Sequence, residues 1–184
     1  MVRPSSVLLV SLMLAPAIAC AGWIDRSGNP LSDQENRKST GDLGAWLILT
    51  DKEGEAFSNW NSPSEGVSIP STRIIAKGRI LSILIVFTGC AADERGNCNL
   101  VVKYKILQPD GSISANLPFQ EAWVDKPVPP DKSLGISIGY VRLTIEENDP
   151  LGEYVVEARV VDRNSNRTLD LRSHFLAVDT GVAP

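Results

Sequence analysis

The chain has 184 residues, 43% of them hydrophobic, and a formal net charge of −4. Its Lys and Arg residues form no cluster, so the composition lacks the basic footprint of a nucleic-acid-binding protein. The length suits one domain that buries a core of its own.

The N-terminal residues have the pattern of a secretory signal peptide, which we assign to residues 1–21. Arg3 supplies a positive charge, residues 7–15 form an apolar run, and small residues follow. A peptidase could cut before Cys20 or two residues later, and the sequence does not decide between the two frames. Cys20 is therefore a candidate lipid anchor, although Ala17 stands where a lipoprotein signal usually has Leu. We expect an exported protein of the periplasm or cell surface that touches a membrane only through such an anchor.

Cleavage after residue 21 would leave 163 residues (184 minus 21) with a charge of −5, because Arg3 is the only charged residue removed. The next stretch, residues 22–44, is polar and has no helical or alternating period. We interpret it as a flexible N-terminal arm that precedes the folded domain, residues 45–184.

From residue 45 onward, short apolar runs alternate with turn residues, and no helical stripe of useful length appears. This texture predicts an all-β fold, a single immunoglobulin-like antiparallel β-sandwich of about seven strands. The expected strands, of which the second is a doubtful edge piece, cover residues 46–49, 73–75, 80–88, 100–107, 119–124, 134–145, 153–161 and 169–178.

The side-chain pattern within these runs predicts which faces are buried. Residues 100–107 and 153–161 alternate between apolar and charged side chains, so each strand should bury one face. Residues 80–87 are apolar on both faces, which indicates a central strand covered on its outer side by the arm or by a partner. The apolar set changes frame beside Gly139, which predicts a bulge there.

Cys90 ends one predicted strand and Cys98 begins the next. Their backbones should therefore lie opposite each other, within reach of a disulfide. Such a bridge persists in an oxidising compartment, which agrees with export. The spacing is too long for a redox-active Cys-x-x-Cys motif, so we expect a structural disulfide.

A second motif points to the same fold. Residues 149–156 (DPLGEYVV) resemble the start of strand F in immunoglobulin-like sandwiches, where a Tyr after a Gly-containing turn hydrogen-bonds to nearby backbone. Val156 stands where a true immunoglobulin domain has its second cysteine, so fibronectin-like or macroglobulin-like sandwiches are the better comparison. Together with the FTGC and NC segments and the PDG turn, residues 45–178 resemble uncharacterised exported proteins of Gram-negative bacteria. That resemblance implies no activity.

Candidate catalytic and metal-binding residues are few. His174 is the only histidine and lies on the polar face of the last strand, so we expect a solvated side chain, no catalytic residue and no enzyme activity. Asp162, Asn164 and Asn166 match the first ligand positions of a calcium loop, but Arg167 occupies the position that requires Gly. We interpret this segment as an Asx-rich hairpin and expect no metal and no cofactor.

Large aromatic side chains are the remaining candidates for ligand binding. Trp60 and Trp123, with Phe119, would suit stacking against a sugar if exposed, and core packing otherwise. We expect a non-catalytic exported binding or structural module that associates with another cell-envelope macromolecule, above all a protein partner, and that binds no nucleic acid. The alternative is a carbohydrate or cell-wall ligand-binding module that uses Trp60 and Trp123.

Overall fold

The computed structural model describes residues 23, 27–29, 31–62, 68–130 and 133–179. The expected signal peptide and Cys20 lie outside the described residues. Within the described part, no helix combines the length and the hydropathy needed to cross a bilayer.

Two β-sheets and one short helix form in the described residues. The elements in chain order are β1 (Arg37–Thr40), β2 (Leu43–Thr50), α1 (Glu53–Asn61), β3 (Ile74–Ala76), β4 (Ile80–Thr88), β5 (Asn97–Leu107), β6 (Ile113–Asn116), β7 (Gln120–Pro127), β8 (Gly135–Ile136), β9 (Val141–Thr144), β10 (Gly152–Asp162) and β11 (Arg167–Val178).

The strands pair into a five-stranded sheet 1 and a six-stranded sheet 2. Sheet 1 has the order β1-β2-β4, with β8 and β9 both on the far edge of β4. Sheet 2 has the order β3-β11-β10-β5, with β6 and β7 both on the far edge of β5. All pairs are antiparallel except β3 with β11. The predicted all-β sandwich is therefore confirmed, with more strands than the seven expected, because the sequence marks mainly the long apolar ones.

The connectivity is that of an immunoglobulin-like sandwich. β2, β4 and β8/β9 take the places of strands A, B and E, while β5, β10 and β11 take those of C, F and G. At the start of β10, the Tyr154 hydroxyl donates a hydrogen bond to the Pro150 carbonyl at 2.8 Å. This is the backbone contact that the DPLGEYVV motif predicts.

The main core lies between the two sheets. Alternate residues of β5 and β10 are buried in it, as the sequence pattern predicts, while their neighbours point outward. The Tyr154 ring stacks on Phe175 with centroids 5.0 Å apart. The buried set on these two strands comprises Leu100, Val102, Tyr104, Ile106, Tyr154, Val156, Ala158 and Val160.

β4 is central in sheet 1 and buried on both faces, as predicted. Its outward residues Leu84 and Val86 form a second apolar cluster with Ala56 of α1 and with Trp23. The expectation that no helix forms is therefore wrong: α1 packs as a third layer on the outside of sheet 1. The Trp23 ring meets Trp46 edge-on at 6.2 Å.

Part of the segment expected to be a flexible arm, residues 22–44, is folded into sheet 1. Residues 37–40 form β1, and β2 begins at Leu43, before the expected domain boundary. The side chains of β1 are polar and show no strand pattern, because this strand is held by its backbone pairing with β2. The Glu35 carbonyl also accepts a hydrogen bond from the Arg172 amide of β11 at 2.8 Å, which ties this edge of sheet 1 to sheet 2.

The opposite edge is tied in the same way by residues 137–140, between β8 and β9. The Ser137 amide donates to the Ile85 carbonyl of sheet 1 at 2.8 Å, and the Ile138 amide donates to the Ala122 carbonyl of sheet 2 at 3.0 Å. Along this edge β8 and β9 advance five residues, from 136 to 141, while β4 advances three, from 86 to 83. Two extra residues do not change which face the alternate side chains occupy. The change of frame that the sequence shows near Gly139 instead marks a change of layer, because Ile136 and Tyr140 pack in the outer cluster with α1 while Val141 and Leu143 pack against the main core.

Gly139 is required by a close backbone approach at this edge. A Cβ atom there would lie 2.5 Å from the Glu121 carbonyl oxygen. We expect Gly139→Ala to lower the free energy of unfolding by about 1–3 kcal/mol in urea denaturation, because the backbone must shift. The control is Gly54→Ala in α1, where an added Cβ meets no atom within 4 Å, and which should be neutral or stabilising. A Gly139→Ala protein as stable as the wild type would contradict the close approach.

Candidate functional site

The predicted disulfide between Cys90 and Cys98 is present. It joins the residues that follow β4 to β5, with a Cα–Cα distance of 5.9 Å, and both cysteines are buried. The loop that it closes rests on the β10–β11 hairpin. The Asn164 amide group donates to the carbonyls of Ala91 at 2.8 Å and of Asn97 at 2.9 Å.

Asp162 completes this contact from the same hairpin. Its buried carboxylate accepts hydrogen bonds from the backbone amides of Ala91 at 2.9 Å and of Asn164 at 3.1 Å, and from the Ser165 hydroxyl at 2.6 Å. Asn166 adopts the left-handed conformation, with φ of 57°. The candidate calcium ligands Asp162 and Asn164 thus fix the turn and the disulfide loop. Among the described residues, no group of three or more His, Cys, Asp or Glu side chains is placed to hold a metal ion.

A polar cluster that sequence reasoning missed holds α1 against sheet 1. The Glu53 carboxylate, in the first turn of α1, accepts hydrogen bonds from the Ser82 hydroxyl at 2.5 Å, the Tyr140 hydroxyl at 3.0 Å and the Arg142 Nε at 2.7 Å. The Arg142 guanidinium, assisted by the two hydroxyls and opposed by burial, lowers the pKa of Glu53 from 4.5 to about 2. The partners lie up to 89 residues away in sequence, so no local pattern could reveal them.

His174 lies on the outer face of sheet 2, as the sequence pattern indicates. Its side chain is 31% exposed and lies between two carboxylates, 3.5 Å from Glu35 and 3.9 Å from Glu153. These distances place Glu35, which precedes β1, beside β10 and β11 of sheet 2.

Trp60 and Trp123 are both partly buried but belong to different clusters. Trp60 belongs to α1 and packs in the apolar cluster on the outside of sheet 1. Trp123 packs against Phe87 with ring centroids 5.6 Å apart, and its indole N–H donates to the Pro127 carbonyl at 2.9 Å. Phe119 is exposed. The structure therefore does not bring the two tryptophans together into one aromatic platform.

The outer face of sheet 2 carries two rows of charged side chains across β5, β10 and β11. Strand register places Lys105, Glu157 and Arg172 in one row, and Lys103, Arg159 and Asp170 in the next. Lys105 pairs with Glu157 at 3.4 Å and Arg159 with Asp170 at 2.7 Å. With Lys38 of β1 and Asn116 of β6, these side chains line a shallow groove of about 620 Å³. We call this surface the charged groove.

An apolar strip borders the charged groove on the same face. It consists of Ile113, Leu107, Val155, Leu176 and Ile74, one from each of β6, β5, β10, β11 and β3. Register pairs Ile113 with Leu107, Leu107 with Val155, and Leu176 with Ile74. Leu176 lies two residues beyond His174, the partner of Val155, and is therefore its diagonal neighbour. Ile113 is 58% exposed, Leu176 43% and Ile74 42%.

Neither a protein-family model nor a curated protein sequence matches this chain. Similar solved structures include a family 123 glycoside hydrolase from Clostridium perfringens (8% identity, TM-score 0.42, covering 73% of this chain and 27% of that one). A second is a Niemann-Pick type C2 protein from Japanese carpenter ant (12% identity, TM-score 0.39, covering 72% of this chain and 89% of that one). A third is the CARDB domain of a Pyrococcus furiosus protein (10% identity, TM-score 0.34, covering 80% of this chain and 99% of that one). The chain thus spans about a quarter of the glycoside hydrolase's length. Similarity at this level carries no argument about function.

The disulfide should stabilise the domain without being essential for folding. Replacing both cysteines in Cys90→Ala/Cys98→Ala opens a ring of nine residues and should lower the free energy of unfolding by about 2–3 kcal/mol. Circular dichroism should still show the β-sheet spectrum, with a lower melting temperature. Complete unfolding at 25 °C, or an unchanged melting temperature, would contradict this prediction.

The Glu53 cluster should make stability depend on pH. Because the folded state lowers the pKa of Glu53 to about 2, its contribution is complete above the unfolded value near 4.5 and is lost as the pH falls from there to about 2. Urea denaturation of Glu53→Gln should show a deficit relative to wild type at pH 7 that shrinks below pH 4.5. Glu55→Gln is the matched control, since Glu55 makes only an exposed ion pair with Lys52 at 3.9 Å. A deficit that is constant from pH 7 to pH 2 would contradict the assignment.

Proposed function

We propose that this protein is an exported, non-catalytic binding module that associates with another macromolecule of the cell envelope through the outer face of sheet 2. The observation that carries the proposal is the difference between the two outer faces. On sheet 1, α1 and Trp23 cover the apolar side chains of Ile48, Leu84 and Val86, whereas the apolar strip on sheet 2 has three side chains more than 40% exposed.

An apolar strip of this extent favours a binding role. Single exposed apolar residues are ordinary on a protein surface, but contiguous apolar patches bordered by polar groups mark interaction sites. Here the strip crosses five neighbouring strands, and the charged groove lies directly beside it. Covering the strip with a partner would remove apolar surface from water, which stabilises a complex.

The chemistry of the other polar groups supports binding over catalysis. Asp162 and Asn164 bind the backbone of the disulfide loop, Glu53 anchors α1, and His174 lies between two carboxylates. Export is supported by the leader-like N-terminal sequence and by the disulfide. The alternative, a carbohydrate-binding module that uses Trp60 and Trp123, has less support because those side chains lie in separate clusters.

Site-specific photo-crosslinking in intact cells tests the proposal. A photoreactive amino acid at Ile113 or Leu176, within the strip, should give a discrete high-mass adduct of the exported protein. The matched control is Ile80, which is 52% exposed but lies in sheet 1, and should give none. Adducts from Ile80 alone, or from no position, would contradict the proposal. Loss of glycan-array binding in Trp123→Ala, with no adduct from the strip, would favour the carbohydrate-binding alternative instead.

A further inference from the structure

We infer that the partner is a protein whose contact surface places carboxylates beside apolar side chains, an inference that rests on the proposed use of this face. The juxtaposition of the apolar strip with unpaired cations in the charged groove carries it. The apolar strip favours contact with apolar side chains, and the unpaired cations favour contact with carboxylates. The partner must present both.

The charged groove is positive in a chain that is negative overall. Its lining includes five cations and two carboxylates, a local charge of +3. Since the whole chain carries −4, everything outside the groove carries −7. This separation of charge would attract an acidic partner surface to the groove and repel it elsewhere.

Two of the five cations are neutralised within the groove, and three are not. Glu157 and Asp170 are occupied by Lys105 and Arg159. Lys38, Lys103 and Arg172 form no ion pair with any described residue. These three side chains are free to pair with carboxylates of a partner, in a setting that docking would partly desolvate.

One of the unpaired cations, Arg172, lies in the row next to the apolar strip, and Lys103 lies one row farther away. Arg172 shares a row with Lys105 and Glu157, and the next row along the same strands contains Leu107, Val155 and His174. Two carboxylates also lie beside the strip: Glu153 is opposite Leu176 and 3.9 Å from His174, and Glu35 is 3.5 Å from His174. Apolar and cationic contacts therefore come from adjacent rows of one sheet.

The breadth of this surface fits a protein better than a glycan or a lipid. Five strands spaced about 4.8 Å apart give a strip roughly 19 Å long. A specific protein–protein interface buries about 800 Å² on each partner, so the charged groove beside the strip must be part of the contact. An anionic polysaccharide offers carboxylates but little apolar surface to cover the strip. A lipid surface would need protruding apolar side chains, whereas these lie across the pleat of a sheet.

Charge reversal on the isolated complex tests the inference. The partner is identified by mass spectrometry of the Ile113 adduct and purified, and its Kd for the full exported chain is measured by calorimetry at 50 and 300 mM NaCl. Lys103→Glu/Arg172→Glu should raise the Kd by about tenfold or more, and salt should weaken wild-type binding. Arg79→Glu/Arg163→Glu makes the same change in net charge outside the groove and should leave the Kd within about twofold.

The outcomes separate the inference from the proposed function. An adduct that forms normally, with a Kd insensitive to salt and to Lys103→Glu/Arg172→Glu, overturns the acidic-partner inference but leaves the binding face in place. An adduct with the mass of two chains, or tighter binding to polygalacturonate or to phosphatidylglycerol vesicles than to the purified partner, also overturns it. Lys103→Gln/Arg172→Gln, which removes charge without reversing it, should give an intermediate Kd, and melting curves confirm that both variants are folded.

Discussion

The burial of β4 on both faces determines how the other layers of the protein are arranged. One face of this strand contributes Leu81, Ile83 and Ile85 to the core between the sheets. The other face carries Leu84 and Val86, whose exposure to water would be costly at about 25 cal/mol per Å². A two-layer sandwich leaves that face open, so the chain adds a third layer. α1 and Trp23 supply it, and the Glu53 carboxylate bridges α1 to β4 and β9.

This third layer makes the two sides of the sandwich unequal. The edges are also engaged, since Glu35 and residues 137–138 hydrogen-bond from one sheet to the other. Unpaired backbone groups at open edges would invite pairing with other chains, and these crossing segments reduce that hazard. The outer face of sheet 2 has no such covering layer among the described residues and carries the apolar strip. The binding proposal therefore rests on two things: the layers that cover the other side of the sandwich, and the side chains on the outer face of sheet 2.

The sequence predicts those parts of the fold whose side chains carry a local pattern. The continuous apolar run at 80–88 predicts β4 with the bounds that the structure has, and alternation predicts the buried faces of β5 and β10. α1 was missed because its apolar residues Ala56, Phe57 and Trp60 occupy a single short stretch without a repeating stripe. β1 was missed because Arg37–Thr40 is polar and pairs through its backbone, which no side-chain period reports.

The candidate site depends on register, which the sequence does not encode locally. Leu176 is visible as an apolar residue in a polar position, but its partner Ile74 lies about a hundred residues earlier and joins it through a parallel pair. Lys38 lines the same groove only because residues 35–40 run beside β11. A slip of one residue in any of these pairings would turn the side chains of that strand to the opposite face. The core residues between the sheets forbid such a slip, because it would expose Ile75, Tyr154 or Phe175. Core packing therefore fixes the binding face as well as the fold, and the strip can vary in sequence only while the residues beneath it hold their register.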